Sequence, residues 1–425
     1  MKVLVVGATG FIGSRLVRAF IAAGHEVTGA ARHADGLPEG CASHVPLDYT
    51  ALPAPDDLRR ALSGHDLVIN AVGILRERGR QTFAALHDEG PRALFAACVA
   101  AGVRRVFQIS ALGAGPGAVA RYHRSKHAAD RFVMEQPLDW LVIQPSLVYG
   151  PGGGSAGLFN LLASLPLTPL PAGGHQRVQP LHVDDLVAAM LELARAPAPL
   201  RTVLPVAGPE PLSMREFLAA LRTSMGRPRA LAFTVPGIVM RGAARLGDFL
   251  PGAALDSETW GMLERGNVAS PAAFTRWLGR PPRPVARFVA PPARDLQWAA
   301  ASLDWLLPML RISVAFMWLI AAIVSMGPYP VEDSVRLLRD IGLSPGLAPV
   351  MLMGAIGLDL VFGILTLLPR RGRWLWPAQI AVVAGYTIII SWRLPELWLE
   401  PFGPVAKNVP ILALLLLLWQ LEKRR

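Results

Sequence analysis

Residues 2–13 read Lys2-Val3-Leu4-Val5-Val6-Gly7-Ala8-Thr9-Gly10-Phe11-Ile12-Gly13. The apolar run over 2–6 has the length of a buried strand. Three glycines at a spacing of three follow it, and a helical pattern over 11–23 comes next. Glycine permits a tight turn and a close approach of the backbone. A helix starting there offers free N–H groups and the positive end of its dipole to a pyrophosphate. In isolation such a turn also closes a helix on a strand for packing alone; at the start of a βαβ unit it reads as a nucleotide fingerprint.

The alternation continues outward from this turn. Short apolar runs over 25–30, 67–70, 106–110 and 140–144 read as strands, with helices over 81–101 and 125–135. Strands separated by helices predict an α/β fold with a doubly wound parallel sheet. The second strand ends Ala30-Ala31-Arg32-His33, without the carboxylate that would take a ribose 2′-OH. Arg32 offers a planar fork of donors suited to a 2′-phosphate. NADP(H) is therefore the expected cofactor, and Asp35 nearby keeps NAD(H) open.

Further along, Tyr122-His123-Arg124-Ser125-Lys126 forms YxxxK, and Ser110 ends the strand before it. Tyr and Lys at i and i+4 share a helix face, so the ammonium is expected to lower the phenol pKa and still reach a cofactor ribose. Ser110 would polarise a substrate carbonyl, and Tyr122 would hand over or remove the proton that accompanies hydride transfer. Asp184 and Asp185 of His182-Val183-Asp184-Asp185 are read as capping a helix over 186–195, a structural role. His123, His127 and His175 show no metal-ligand spacing, and no metal is expected.

Ser213, with Glu216 three residues on, opens a helix over 213–225. The apolar segments 233–240 and 243–250 are expected to pack this small substrate-side region or else to cover a lipid-like substrate. The proline-rich stretch 280–292 reads as a linker.

Residues 303–425 have a different character. The stretches 312–330 and 374–392 carry no ionisable side chain, 344–369 carries only Asp359 before its end, and 408–421 is apolar but short. At 1.5 Å per residue roughly 19 residues nearly cross a hydrocarbon core, whereas roughly 14 reach only ~21 Å. Four membrane spans are expected, the last reaching its length with residues 401–406 and a snorkelling Lys407 or else lying partly buried against its neighbours. Arg370, Arg371 and Arg373 lie between the second and third spans, and the chain ends Lys423-Arg424-Arg425. The opposite loops are less basic, so both termini and the large N-terminal half are expected in the cytoplasm. Asp359 within a span is expected to pair with Arg311, with a ligand or proton role as the alternative.

Composition agrees with this division. The chain is 52% hydrophobic and 17% charged over 425 residues, too apolar for an ordinary soluble protein. Its net charge of +11 is scattered or juxtamembrane, without the basic stripe of a nucleic-acid binder. Cys41 and Cys98 form neither a CxxC pair nor a disulfide framework. The glycines of the N-terminus and the lack of a small-residue cleavage site argue against a signal peptide, so insertion is expected to be directed by the later spans.

These motifs in order, GATGFIG, Asn70-Ala71-Val72-Gly73, Ser110, YHRSK, Gln144-Pro145-Ser146 and Val148-Tyr149-Gly150-Pro151, resemble the short-chain dehydrogenase/reductase superfamily over roughly residues 1–290. Within it the chain is most similar to the atypical, NmrA-like and complex I accessory-subunit-like branch. The resemblance implies a Rossmann-type domain over 1–208 and a helical substrate-side region with linker over 209–292. It also implies that Gly7, Thr9, Gly10, Phe11, Ile12 and Gly13 line the pyrophosphate, Arg32 the 2′-phosphate, Asp48 the adenine edge and Asn70 to Gly73 the ribose. Tyr122 and Lys126 would be the catalytic pair, with Pro145, Ser146, Leu147 and Val148 near the nicotinamide. Extended members place a second hydroxyl residue after the first at the strand end, whereas here Ser110 is followed by Ala111 and Leu112.

Residues 300–425 resemble the DoxX-like family of small four-helix membrane proteins, on the span layout, Gly357-Leu358-Asp359 and Lys407-Asn408-Val409-Pro410. A quinone or other isoprenoid partner becomes thinkable from that likeness. The expected whole is a bacterial inner-membrane, NADP(H)-dependent oxidoreductase acting on a hydrophobic carbonyl, alcohol or quinone-like substrate. The alternatives are a non-catalytic nucleotide-binding scaffold or regulator of a respiratory-type complex, and an NAD-dependent epimerase or dehydratase.

Overall fold

The computed structural model describes residues 1–197, 199–250, 253, 255–369, 372–401 and 403–422. Two compact units divide it, Met1–Ala301 and Ser302–Arg425.

Seven parallel strands form the main sheet of the first unit: β1 (Lys2–Val6), β2 (Glu26–Ala31), β3 (Ser43–Pro46), β4 (Leu67–Asn70), β5 (Arg105–Ile109), β6 (Asp139–Pro145) and, past β7 (Leu167–Pro171) outside this sheet, β8 (Thr202–Val206). They lie in the order β8-β6-β5-β4-β1-β2-β3, every neighbouring pair parallel. The chain winds outward from β1 to β3, crosses back to β4 and winds the other way. The glycine turn leaves β1 at that switch point, where open α/β sheets hold their ligands.

Helices cover both faces, which is why β1 reads as an unbroken apolar run. Val3 and Val5 pack with Leu16, Val17 and Phe20 of α1 (Gly13–Ala22). Leu4 and Val6 pack on the other face with Leu58 of α2 (Pro55–Leu62), Leu94 and Phe95 of α3 (Gly90–Ala101) and Val133 of α4 (Arg121–Met134).

Three local expectations are corrected. The helix expected over 81–101 is a π-helix, Ala84–Glu89, running into α3; Pro91 has no N–H to return to the preceding turn, so that turn widens. The helix expected from residue 125 starts at Arg121, which puts Tyr122 and Lys126 on one helix. After α5 (Gly154–Ser164), α6 (Val183–Ala194) is capped by His182, whose Nδ1 accepts from Asp184 N at 3.3 Å. The aspartates therefore sit inside its first turn and are not its cap.

Asp185 is fully buried and accepts from Arg280 Nη2 at 2.6 Å, from Arg283 Nη2 at 3.0 Å and from the Arg283 backbone amide at 2.8 Å. These bonds hold its carboxyl below the usual carboxylate range against the opposing effect of burial. They also pin the proline-rich stretch expected as a linker: Val285, Phe288 and Val289 are buried in the core around α7 (Met214–Ser224). α7 opens with the expected capping box of Ser213 and Glu216. β9 (Leu231–Val235) pairs with β7, and α8 (Gly237–Phe249), α9 (Ser257–Arg265) and α10 (Ala272–Leu278) complete the unit. The apolar segments expected to pack here do not: Ala244 and Gly247 are the buried residues of α8.

The second unit is helical, with α11 (Arg294–Ser325) running into it, then α12 (Val331–Asp340), α13 (Leu347–Leu367), α14 (Leu375–Arg393) and α15 (Asn408–Glu422). Pro291–Ser325, Leu347–Leu367 and Leu375–Arg393 are long and apolar enough to cross a membrane by length and composition. α15 has 15 residues, about 22 Å, and falls short of that length on its own. Fully buried Gln379 accepts from Trp318 Nε1 at 2.8 Å and donates to Thr366 Oγ1 at 2.9 Å, joining three helices where polar groups must satisfy one another.

The expected Asp359–Arg311 pair is not formed. Arg311 Nε lies 3.2 Å from Glu422, which also accepts from Trp376 Nε1 at 2.7 Å. Glu422 closes α15, and the Arg311 and Glu422 side chains both keep part of their exposure, 29 and 23%. Asp359 Oδ1 is buried with no hydrogen-bond partner among the described residues. Arg370, Arg371, Lys423, Arg424 and Arg425, on which the expected orientation rests, lie outside the described residues.

Removing the carboxylate that anchors the proline-rich stretch leaves two guanidinium groups beside a dry socket. Asp185→Ala is expected to destabilise the first unit by about 3 kcal/mol, the lower end for a broken buried ion pair, as read by urea unfolding of the full chain in detergent.

Candidate active site

The glycine turn has the shape a dinucleotide requires. Gly7 has φ +80°, and its amide and that of Gly10 bond Ala30 O and Gly7 O, both at 2.9 Å. A β-carbon on Gly13 would stand 2.1 Å from Gly7 O, so only glycine lets α1 close on β1. No side chain caps α1; the Ser14 amide bonds Gly10 O at 2.9 Å and the Arg15 amide Ile12 O at 3.1 Å, and the positive end of the helix dipole meets the turn. Thr9 and Gly10 are exposed at this turn and Ile12 is half-buried. Phe11 is wedged between the Arg15 guanidinium, 4.6 Å from its ring centre, and the loop at Gly150 and Gly153. The cradle fits a pyrophosphate.

Arg32 is exposed one residue after β2, at the edge where a 2′-phosphate would be met. Asp48 follows β3, with Oδ1 accepting from Thr50 N at 2.8 Å and Thr50 Oγ1 at 2.9 Å. Asn70 is fully buried, donates to Gln108 at 2.7 Å and accepts from Tyr49 at 3.1 Å and Val72 N at 3.3 Å. Its side chain is thus a brace for the strand ends, and the chain continues through Ala71, Val72 and Gly73 beside Lys126. A β-carbon on Gly73 would come within 3.1 Å of Lys126 Nζ.

The structure brings Tyr122 and Lys126 together on α4 and places Asp130 one turn further along. Lys126 is 3% exposed and donates to Val72 O at 3.0 Å and Ile109 O at 3.1 Å. Burial lowers its pKa to about 8, with Asp130 pulling the other way. Asp130 is pushed up to about 6 by burial, against the hydrogen bond from Ser110 and the charge of Lys126. The Ser110 hydroxyl donates to that carboxylate and is itself buried. In this arrangement the hydroxyl is committed inward to Asp130, where the expectation had it polarise a substrate carbonyl. The phenol of Tyr122 is also opposite to expectation: burial first, then the Asp130 charge, push its pKa up to about 12. With Lys126 bonded to two carbonyls, its effect on the phenol is outweighed.

His87, which the motifs did not point to, completes the constellation. It is fully buried on the π-helix, accepts from Ile74 N at 3.0 Å and meets Ser125 Oγ at 3.0 Å. Burial, then Lys126, push its pKa down to about 2, so the ring is neutral. Its face stacks on Phe83 at 5.2 Å, and Tyr122 packs edge-on at 5.5 Å. A π-turn beside a YxxxK helix was legible only as a proline ten residues into a helical pattern.

Pro145 ends β6, and its carbonyl accepts from Leu112 N at 2.9 Å. Ser146 Oγ donates to Gln179 O at 2.6 Å, and Leu147 N donates to Asn267 at 3.0 Å; Val148 is half-buried at the next short bridge. Two cavities lie at the start of α4, one touching His123 and the other Arg121. One of about 340 Å³ is lined by Leu112, Gly113, His123 and Asn267. The other, an open cleft of about 840 Å³, is lined by Arg76, Phe83, Arg121, Phe249 and Glu258. Glu258 accepts from the Tyr122 amide at 2.8 Å, and Phe83 meets the Tyr122 ring at 6.1 Å. Among the described residues no group of His, Cys, Asp and Glu is placed to hold a metal ion.

Sheet, turn and α4 together define a nicotinamide-nucleotide-binding Rossmann framework. Residues 7–158 match the NAD(P)H-binding family model and residues 315–416 the DoxX-like family. The chain is 30% identical over 243 residues to a ceramide reductase of Caulobacter vibrioides, covering 57% of this chain and 76% of that one. It is 33% identical over 255 residues to a 3-diazoavenalumate denitrifying reductase of a Streptomyces species, covering 54% and 83%. Subunit 9 of the NADH dehydrogenase (ubiquinone) 1 alpha subcomplex of Arabidopsis thaliana is 26% identical over 197 residues, covering 44% and 48%. A nucleoside-diphosphate-sugar epimerase from Staphylococcus aureus shares the fold at TM-score 0.56 and 18% identity, over 68% of this chain and 99% of that one. The chain belongs to the NAD(P)H-binding Rossmann family of these reductases, and it carries a C-terminal DoxX-like domain.

The lysine links nucleotide binding to pH. Below about 8 its ammonium is charged and can donate to a ribose hydroxyl; above it the charge is lost. Nucleotide affinity is expected to fall as pH rises through about 8, and Lys126→Met to remove that dependence, as read by calorimetric titration of the full chain between about pH 6.5 and 9.5.

Proposed function

We propose that the protein is a membrane-anchored, NADP(H)-dependent reductase of a hydrophobic, lipid-like carbonyl, with the first unit on the cytoplasmic side of a bacterial inner membrane. The observation that carries this reading is the placement of Tyr122: protonated, packed on His87 and Phe83, one turn from Lys126, and next to Arg121 and Phe83, which line a cleft of about 840 Å³. Gly7, Thr9, Gly10, Phe11, Ile12 and Gly13 hold the pyrophosphate, Arg32 the 2′-phosphate, Asp48 the adenine edge, Ala71 to Gly73 and Lys126 the ribose, and Pro145 to Val148 border the nicotinamide. The bound nucleotide supplies the hydride.

The chain's part is the proton. A phenol with pKa about 12 is fully protonated at neutral pH, so it serves as the acid of a reduction more readily than as the base of an oxidation. Lys126 steadies the groove carbonyls and the ribose. The reductase relatives named for a ceramide and for nitrogen–nitrogen chemistry support reduction as the reaction class, and the membrane helices favour the lipid-like end of that range. A second reading, a nucleotide-binding scaffold without turnover, is favoured by the inward commitment of Ser110 and by the likeness to a respiratory-complex subunit.

NADPH oxidation by the full chain in nanodiscs, with long-chain keto lipids, a keto ceramide, quinones and azo dyes, separates the readings. Turnover of a keto lipid is expected, and Tyr122→Phe is expected to lower kcat by about 100-fold or more with NADPH binding retained. Tight binding without turnover on any substrate would establish the scaffold. Arg32→Ala is expected to weaken NADPH by roughly 10-fold, the scale of one charge-assisted bond, and to leave NADH unchanged; equal losses for both would remove the 2′-phosphate assignment.

A further inference from the structure

The small region after the sheet turns an apolar face outward. β9 is exposed at four of its five residues, with Leu231 at 80% and Phe233 at 45%. Along α8, Ile238, Val239, Leu246 and Phe249 are 73, 53, 67 and 84% exposed, and Leu250 just beyond is 61%. At roughly 100° per residue, Ile238, Val239, Ala243, Leu246 and Phe249 share one arc of about 140°. Ala244 and Gly247 fall opposite and are buried. Arg241, Arg245 and Asp248 occupy the sector between.

This exposure does not come from a loosely held helix. A β-carbon on Gly247 would stand 1.8 Å from Leu255 O, so the buried side is in close contact. Asp248 accepts from Ser257 N at 2.9 Å and Ser257 Oγ at 2.7 Å at the start of α9. The helix is fixed by its small residues, and its large apolar ones are left in the open, a pattern that marks an interaction surface.

Three features choose the occupant. The same chain carries three helices long and apolar enough to cross a membrane, so this unit is tethered to a bilayer. The charge flanking the arc is basic: Arg229 and Arg245 make no ion pair among the described residues, and Arg241 reaches Glu264 only at 4.0 Å. A firm apolar arc bordered by arginine is the arrangement of a helix that lies in the plane of an anionic lipid surface. Finally, Phe249 and Leu250 also line the cleft beside Phe83 and Arg121, so the arc leads to the mouth of that cleft.

We propose that β9 and α8 are a lipid-docking element: the apolar arc of α8 lies among the headgroups and first acyl carbons of an anionic bilayer, its arginines pair with lipid phosphates, and its Phe249 end brings a lipid to the mouth of the cleft. The last step rests on the function proposed above; the docking does not.

Nitroxide labels on Ile238→Cys and Leu246→Cys test the docking, each in the full chain with Cys41→Ser, the remaining Cys98 being fully buried. Val119→Cys, at a position 68% exposed elsewhere on the unit, serves as the aqueous reference. In nanodiscs containing phosphatidylglycerol, labels 238 and 246 are expected to favour oxygen over a nickel chelate by about threefold or more relative to label 119, as for a helix at the acyl boundary. Equal accessibility at all three positions would overturn the proposal. So would dipolar broadening between copies at 238 and 246, which would make a second copy of the chain the occupant. If a labelled variant fails to fold, hydrogen exchange on the unmodified chain decides: amides over 231–250 are expected to exchange about fivefold slower in anionic than in neutral nanodiscs, and equal rates would overturn the proposal. Neither readout needs turnover, so failure here is distinct from failure of the reductase reading.

Discussion

A parallel sheet covered by helices on both faces gives its polar side chains no water, so each must find a partner within the protein or give up its charge. Across the carboxyl ends of β4 and β5 this produces a line of groups that answer one another. Tyr49 bonds Asn70, Asn70 bonds Gln108, Ser110 bonds Asp130, and Lys126 bonds the carbonyls of Val72 and Ile109. Because Lys126 and Asp130 belong to α4, the line fixes the rotation of that helix against the sheet. Tyr122, one turn earlier, is positioned as a consequence.

The same constraint sets the electrostatics of the site. Asp130, Lys126 and His87 all move toward their neutral forms because burial outweighs the bonds they make. Tyr122 shares that environment and stays protonated. At neutral pH the site therefore keeps the Tyr122 phenol protonated and His87 neutral, while Lys126 and Asp130 still face each other as opposite charges. It then depends on the nucleotide for the hydrogen bonds that complete it.

Outside the sheet the balance reverses. The small region carries its large apolar side chains outward on β9 and α8, while the helical unit buries the polar triad of Trp318, Gln379 and Thr366 inside. Both inversions suit a chain that meets lipid. An apolar surface costs little against hydrocarbon, and an amide in hydrocarbon must be paired.

Much of this was legible from residue order. The run Lys2–Val6 and the glycines at 7, 10 and 13 declare a strand, a turn and a helix, because strand period, φ > 0 and close approach are local demands on residue type. The apolar lengths of the later helices declare a membrane unit for the same reason. YxxxK declares a shared helix face, since i and i+4 are neighbours on any α-helix. The register of pairing is different in kind. That Ser110 spends its hydroxyl on Asp130, that Glu422 and not Asp359 takes Arg311, that His182 caps the helix ahead of its aspartates and that α8 faces outward all depend on which distant groups arrive first at bonding distance. Residue types and local spacing determined the layers, the cofactor turn and the membrane character; only tertiary packing decided which polar groups were consumed as braces and which were left for chemistry, because desolvation and partner choice are properties of the assembled interior.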